Sequence, residues 1–96
     1  MALAVIASPS FARMAKKMHS KDKLVLDQAV KDVAGDPFLG EEKRGDLSGV
    51  FVYKFKLNKQ ETLLAYELKP DKIKPDEVVL LGVGPHENFY AHLKRK

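Results

Sequence analysis

The sequence contains no cysteine and only three histidines, His19, His86 and His92. The lack of cysteine excludes disulfide bonds and thiol chemistry, and it is compatible with a reducing cytoplasm. The histidines show no metal-ligand spacing such as HxxxH or HExxH. We therefore predict no metal site, and nothing in the composition suggests another cofactor.

Long apolar runs are also missing. No stretch approaches the roughly 18 residues that a membrane-spanning helix needs. The N-terminal MALAVIAS lacks the basic leader and the longer apolar core of a signal peptide. We expect a cytoplasmic protein that does not contact a membrane.

Length and charge set the remaining bounds. A chain of 96 residues that is 45% hydrophobic predicts one domain, residues 1–96, with a modest core. The 17 Lys and Arg exceed the 13 Asp and Glu, so the net charge is +4. A basic balance favours an anionic partner such as RNA or an acidic protein segment. Many small proteins are equally basic without such a partner.

The N-terminal half predicts one strand and two helices. Leu3 to Ala7 is a short apolar run with β-branched residues, which indicates a strand. Apolar residues at helical spacing then predict a helix with Ser10 as its N-cap and a second helix capped by Ser20. Gly35 suits a left-handed C-terminal residue, and Pro37 prevents continuation. The helices should form an antiparallel hairpin with a basic outer side.

The next region predicts a β-hairpin after a connection at residues 37–48. Val50 to Leu57 predicts a strand whose second half alternates between apolar and basic residues. One face is apolar, and the other carries Val50, Val52, Lys54 and Lys56. Asn58 to Glu61 is a turn, and Thr62 to Leu68 forms the returning strand. The proline-containing stretch 69–76 is an exposed loop.

The last strand is uncharged. Val78 to Val83 fits a strand covered on both faces. Gly84 and Pro85 should end it, and a short helix can begin at Pro85. Helical spacing would then place four side chains on one face: His86, Phe89, Tyr90 and Leu93. Phe89 and Leu93 suit packing on the sheet, whereas the other two carry polar tips at a strand end, where sites are commonly placed.

Together these elements predict an α+β fold. It consists of an N-terminal strand, an antiparallel helix hairpin, a three-stranded antiparallel meander that completes a four-stranded sheet, and a short C-terminal helix.

Two lysines mark the basic face of this sheet. Lys54 and Lys56 lie about 7 Å apart by strand rise, and a phosphate could bridge them. Solvated lysines that guard against edge pairing are the simpler explanation. His86, with an ordinary pKa near 6.5, could face them. A histidine, lysines and a tyrosine suffice for metal-free RNA cleavage, which needs a base for the 2′-OH, an acid for the leaving oxygen and cations for the phosphorus.

The order of these elements and four stretches, RGDLSG, YKFKL, LLAYEL and VVLLGVGPHENFY, resemble the RelE/ParE superfamily of bacterial type II toxins over nearly the whole chain. The resemblance implies one of two activities. Members similar to RelE are endoribonucleases that cut mRNA in the ribosomal A site without a metal. Members similar to ParE share the fold but poison DNA gyrase. Toxins similar to RelE are neutralised by an antitoxin that often represses the operon.

The resemblance also implies roles for particular residues. The paired lysines of RelE-like nucleases fall on Lys54 and Lys56, the base-stacking aromatic falls on Tyr90, and His86 takes the place of a catalytic Arg or His. The arginine that those nucleases carry on the next strand falls near Leu63, an apolar residue. This departure keeps the gyrase alternative and an inactive, antitoxin-binding relative open.

We therefore favour an mRNA endoribonuclease toxin. In this hypothesis His86 is the general acid or base, Lys54 and Lys56 hold the phosphate, and Tyr90 stacks on a base or relays a proton. The expected RNA contacts are Lys43, Arg44, Lys94 and Arg95. The expected partners are a cognate acidic antitoxin, the ribosome with its mRNA, and operator DNA for the toxin–antitoxin complex.

Overall fold

The structure, a computed structural model of the chain, describes residues 3–45 and 48–85. Within these residues the elements follow in the order β1 (Ala4–Ala7), α1 (Pro9–Lys16), α2 (Ser20–Gly35), β2 (Glu41–Glu42), β3 (Val50–Leu57), β4 (Gln60–Lys69) and β5 (Glu77–Pro85). This order confirms the predicted α+β class. Neither of the described helices is long and apolar enough to cross a membrane.

The strands form one sheet in the order β1-β5-β4-β3-β2. β3, β4 and β5 make the predicted antiparallel meander, and β1 joins β5 in parallel. β2 adds a fifth strand that the sequence did not predict, with Glu41 opposite Val52 and Glu42 opposite Phe51. Two adjacent glutamates show no alternation and have low β-propensity, so no sequence signal marked this strand.

The main core lies between the helices and one face of the sheet, here called the helix face. α1 packs on β5 and α2 packs on β3. The buried side chains of this core are Phe11, Leu26, Ala29, Val33, Phe51, Leu64, Tyr66, Leu68, Val78, Leu80 and Val83. The opposite face, here called the far face, carries a second buried cluster of Val50, Val52, Leu63 and Ala65.

The first helix begins earlier than predicted. Ser8, rather than Ser10, is its N-cap, and the Ser8 hydroxyl accepts a hydrogen bond from the Phe11 N–H at 3.1 Å. Pro9 follows as the first helical residue, where a missing N–H breaks no helical bond. The sequence analysis placed the cap two residues later because it did not recognise Ser8-Pro9 as the start of a helix.

The second helix also differs at both ends. Ser20 is its first residue rather than its cap, and His19 stands at the N-cap without a side-chain hydrogen bond. Gly35 is the last helical residue and is not left-handed, so the predicted role of this glycine is wrong. Helical spacing predicts a buried stripe of Leu26, Ala29, Val30 and Val33, and the structure buries all of them except Val30, which is partly buried.

The β3–β4 turn is shorter than predicted, because only Asn58 and Lys59 separate the strands. Both residues have positive φ, as expected for a two-residue hairpin whose twist matches that of its strands. Gln60 and Glu61 belong to β4, opposite Leu57 and Lys56.

The prediction that Pro85 starts a helix is wrong, because Pro85 lies in β5 opposite Thr62. β1 ends opposite Leu80, so the adjacent edge of β5 is open beyond that point. The Val83 N–H points toward that edge and meets the Met14 sulfur at 3.5 Å. By the two-residue repeat of a strand, the Pro85 nitrogen faces the same way, where no ladder hydrogen bond is lost.

Candidate nucleic-acid interface

The far face of β3 changes from apolar to basic along its length. Val50 and Val52 are buried, whereas Lys54 and Lys56 are exposed. The structure thus places both lysines on one face, about 7 Å apart by strand rise. Lys56 lies opposite Glu61 on β4.

Lys54, Leu63 and Gly84 form a row of residues paired across β3, β4 and β5, and Leu63 is the middle one. It pairs with Lys54 on one side and with Gly84 on the other, and its side chain is completely buried. The position to which the resemblance assigns an arginine is therefore part of the apolar far-face cluster. It supplies no cation to the Lys54 and Lys56 surface.

Glu41 joins this surface, although the sequence analysis assigned it no role. Its place opposite Val52 sets it on the far face, one strand away from Lys54. The carboxylate accepts a hydrogen bond from the Lys43 ammonium at 2.6 Å. This hydrogen bond lowers the pKa of Glu41, and the charges of Lys43 and Lys54 act in the same direction. Residues two apart share a face in a strand, but no sequence signal marked this strand, so the Glu41 and Lys43 pair could not be predicted.

A shallow pocket, called here the edge pocket, opens at the first residue of β2. It has a volume of about 260 Å³ and is lined by Leu39, Glu41, Val52, Tyr53 and Lys54. The exposed Leu39 side chain forms an apolar wall. The pocket thus combines a carboxylate, an ammonium group and an apolar surface at the edge of the sheet.

Tyr66 holds the loop that forms this wall. Its ring is fully buried and stacks on Phe51 with 5.5 Å between centroids. The hydroxyl donates to the Pro37 carbonyl at 2.7 Å and accepts from the Gly40 N–H at 3.0 Å. A Cβ on Gly40 would stand 2.6 Å from this oxygen, so the loop needs glycine there. Burial raises the pKa of Tyr66 to about 12.

A second groove, of about 340 Å³, contains Arg44. It is lined by Glu42, Lys43, Arg44, Gly45, Ser48 and Lys72, and Lys72 is paired with Glu42 at 2.9 Å. The Lys43 N–H donates to the Val50 carbonyl at 2.8 Å, so this groove lies near the start of β3. Lys54 is four residues further along the strand, a distance of about 13 Å. The structure therefore separates Arg44 from Lys54.

The remaining predicted site residues lie outside the described residues: His86, Tyr90, Lys94 and Arg95, together with the predicted C-terminal helix. The described part of β5 ends at Pro85, in the row next to the one that contains Lys54. Within residues 3–45 and 48–85, no group of three or more His, Asp or Glu side chains is placed to hold a metal ion.

Solved structures of bacterial toxins share this fold. A chain of the RelBE2 toxin–antitoxin complex of Mycobacterium tuberculosis superposes with a TM-score of 0.72 at 20% identity, covering 90% of this chain and 100% of that one. A mutant E. coli toxin RelE in the free state superposes with a TM-score of 0.71 at 20% identity, covering 98% of this chain and 94% of that one. A chain of the intact E. coli RelBE complex superposes with a TM-score of 0.68 at 20% identity, covering 90% of this chain and 99% of that one. No curated protein sequence matches the chain.

The sequence itself matches one protein family, the ParE-like toxins of type II bacterial toxin–antitoxin systems, over residues 5–94. Since the match covers nearly the whole chain, the protein belongs to this family. Together with the fold, the match confirms the predicted membership of the RelE/ParE superfamily of type II toxins.

Proposed function

We propose that the protein is an endoribonuclease toxin that cuts mRNA on the ribosome by acid–base catalysis without a metal. The observation that carries this proposal is the pair of exposed ammonium groups, Lys54 and Lys56, on one face of β3. Paired cations on a rigid strand are suited to hold a phosphodiester and to stabilise the charge that develops on it.

Cleavage also requires two proton transfers, one from the 2′-OH and one to the leaving 5′ oxygen. We assign one of them to His86, which follows β5 directly, because an imidazole can give or take a proton near neutral pH. Tyr90 stacks on a base or relays a proton. Because Leu63 supplies no charge, Lys54 and Lys56 provide the cations closest to the reacting phosphate.

The other basic residues add RNA contacts around the cleavage point. Arg44 lies about 13 Å along β3 from Lys54, so it contacts a phosphate further along the RNA strand. The Lys43 ammonium lies at Glu41 beside the edge pocket, so it contacts the RNA nearer to Lys54. Lys94 and Arg95 add positive charge near the C-terminus. These contacts contribute affinity that falls with rising salt, and they carry no base specificity.

The partner proposed to silence the toxin is an acidic antitoxin. The similar structures RelBE and RelBE2 are toxin–antitoxin complexes, and the net charge of +4 favours an acidic segment here. Exposed apolar side chains are available for such contacts: Val5, Ile6, Leu24, Val25, Phe38, Leu39 and Ile73. We extend the proposal to repression of the operon by the complex on operator DNA.

Inhibition of DNA gyrase is the second candidate. Leu63, buried where RelE-like nucleases carry an arginine, favours it, and the matching family is named after ParE. In this case the basic far face would be a protein-binding surface. One fold can host unrelated functions, so the fold does not separate the two activities.

Two reactions with the purified protein distinguish these functions. In a reconstituted translation reaction, mapping of the 5′ ends of the message should show new cuts within codons, and His86→Ala should slow their appearance. In a gyrase supercoiling reaction the protein should have no effect. Intact message together with inhibited supercoiling would reject the nuclease and support the gyrase inhibitor.

A further inference from the structure

The edge pocket lies beside a proposed cleavage residue. Its volume of about 260 Å³ leaves room for a planar heterocyclic ring. Lys54 forms one side of it, so a nucleotide whose phosphate lies on Lys54 can place its base in the pocket. The exposed Leu39 side chain provides apolar surface against which a planar base can pack.

The walls of the pocket are held in place. Leu39 belongs to the loop that Tyr66 anchors through Pro37 and Gly40. Glu41 is fixed by its backbone pairing with β3 and by the 2.6 Å contact with Lys43. A preorganised pocket loses little freedom when a ligand enters it.

The edge of β3 adds two polar groups. The Lys43 N–H bonds to the Val50 carbonyl, so the backbone groups of Val50 face β2. By the two-residue repeat of a strand, the N–H and C=O of Lys54 face the same edge. The first residue of β2, Glu41, lies opposite Val52, so no strand within the described residues pairs with Lys54 on that side. One donor and one acceptor therefore border the pocket.

The carboxylate of Glu41 decides which base fits best. Its two oxygens can accept about four hydrogen bonds in total, so the carboxylate can bind a base while Oε1 accepts from Lys43. Guanine presents two neighbouring N–H donors on its Watson–Crick edge, which match the two oxygens of one carboxylate. Adenine and cytosine offer a single amino group, and uracil offers a single ring N–H. A carboxylate therefore favours guanine.

We propose that the edge pocket binds guanine in the RNA substrate and that Glu41 determines this preference. The inference rests on the proposed RNA-cleaving function, and it specifies which base of the RNA is recognised beside Lys54.

Binding of the four nucleoside 3′-monophosphates to the purified, ¹⁵N-labelled protein tests this without cleavage or ribosomes. Guanosine 3′-monophosphate should shift the amide signals of Leu39, Tyr53 and Lys54 and bind about fivefold to tenfold more tightly than the other three. Glu41→Gln, at an exposed position, should remove most of this preference. Equal affinities in the wild type, no binding at all, or a preference that survives in Glu41→Gln would each overturn the proposal.

Glu42→Gln is the matched control. It removes the same charge from the neighbouring residue, which pairs with Lys72 outside the edge pocket, so the guanine preference should remain. The binding result is independent of the nuclease result. A protein that prefers guanosine 3′-monophosphate but cuts no message refutes only the nuclease, whereas cleavage without this preference refutes only the guanine pocket.

Discussion

At the residue scale, Tyr66 links the core to the candidate interface. One end of its side chain is a ring inside the helix-face core, and the other end binds the loop that forms a wall of the edge pocket. The sequence indicated the buried ring, because Tyr66 alternates with Leu64 and Leu68 in β4. The loop contact could not be predicted, since it joins residues 26 and 29 positions apart.

Tyr66→Phe should lower the free energy of unfolding by about 2 kcal/mol, because it leaves the Gly40 N–H and the Pro37 carbonyl without their partner. Urea unfolding measures this change. Tyr53→Phe is the matched control: the Tyr53 hydroxyl makes no side-chain hydrogen bond within the described residues, so its loss should cost under about 0.5 kcal/mol. Equal effects of the two substitutions would show that the loop is not held by Tyr66.

The raised pKa of Tyr66 makes stability depend on pH in alkaline solution. The ordinary pKa of 10.0 applies to the unfolded chain and about 12 applies to the folded one, so the unfolded state loses the proton first. The free energy of unfolding should therefore fall by roughly 1 to 3 kcal/mol as the pH rises from about 10 to about 12. Urea unfolding across this range should give a smaller decrease for Tyr66→Phe. An identical decrease in both proteins would exclude this origin.

At the element scale, hydrophobic periodicity located the elements but not their ends. The stripe of α2 and the alternation of β3 were correct, because burial on one face imposes these repeats. The ends depend on single hydrogen bonds and on open strand edges, as Ser8 and Pro85 show. β2 exists because β3 offers it an edge, and its own two residues carry no strand signal.

Ser8→Ala should lower the free energy of unfolding by about 1 kcal/mol, because the Phe11 N–H loses its capping acceptor. Ser10→Ala, the residue that the sequence suggested as the cap, should have an effect under about 0.5 kcal/mol. Thermal or urea unfolding of both variants makes the comparison. A larger decrease in the free energy of unfolding for Ser10→Ala than for Ser8→Ala would show that Ser10 is the N-cap, as the sequence suggested.

At the scale of the whole molecule, the sequence was sufficient for the fold class, the superfamily and the positions of Lys54 and Lys56. The fold class follows from element order, and the lysine positions follow from a period of two. The superfamily follows from the resemblance of four sequence stretches together with that order. Glu41 was missed because its position depends on strand pairing across the sheet, and the distance between Arg44 and Lys54 depends on where β2 joins β3. The burial of Leu63 likewise follows from a far-face cluster assembled from two strands.

The central claim is that RNA is cut over the Lys54 and Lys56 face, and the rate of mRNA cleavage on ribosomes by single-lysine variants tests it most directly. Lys54→Ala and Lys56→Ala should each slow cleavage by about 100-fold, the usual effect of removing one group that stabilises a transition state. Lys31→Ala removes the same charge from the exposed side of α2 and should cleave at the wild-type rate. Cleavage at the wild-type rate by Lys54→Ala and Lys56→Ala would contradict the claim.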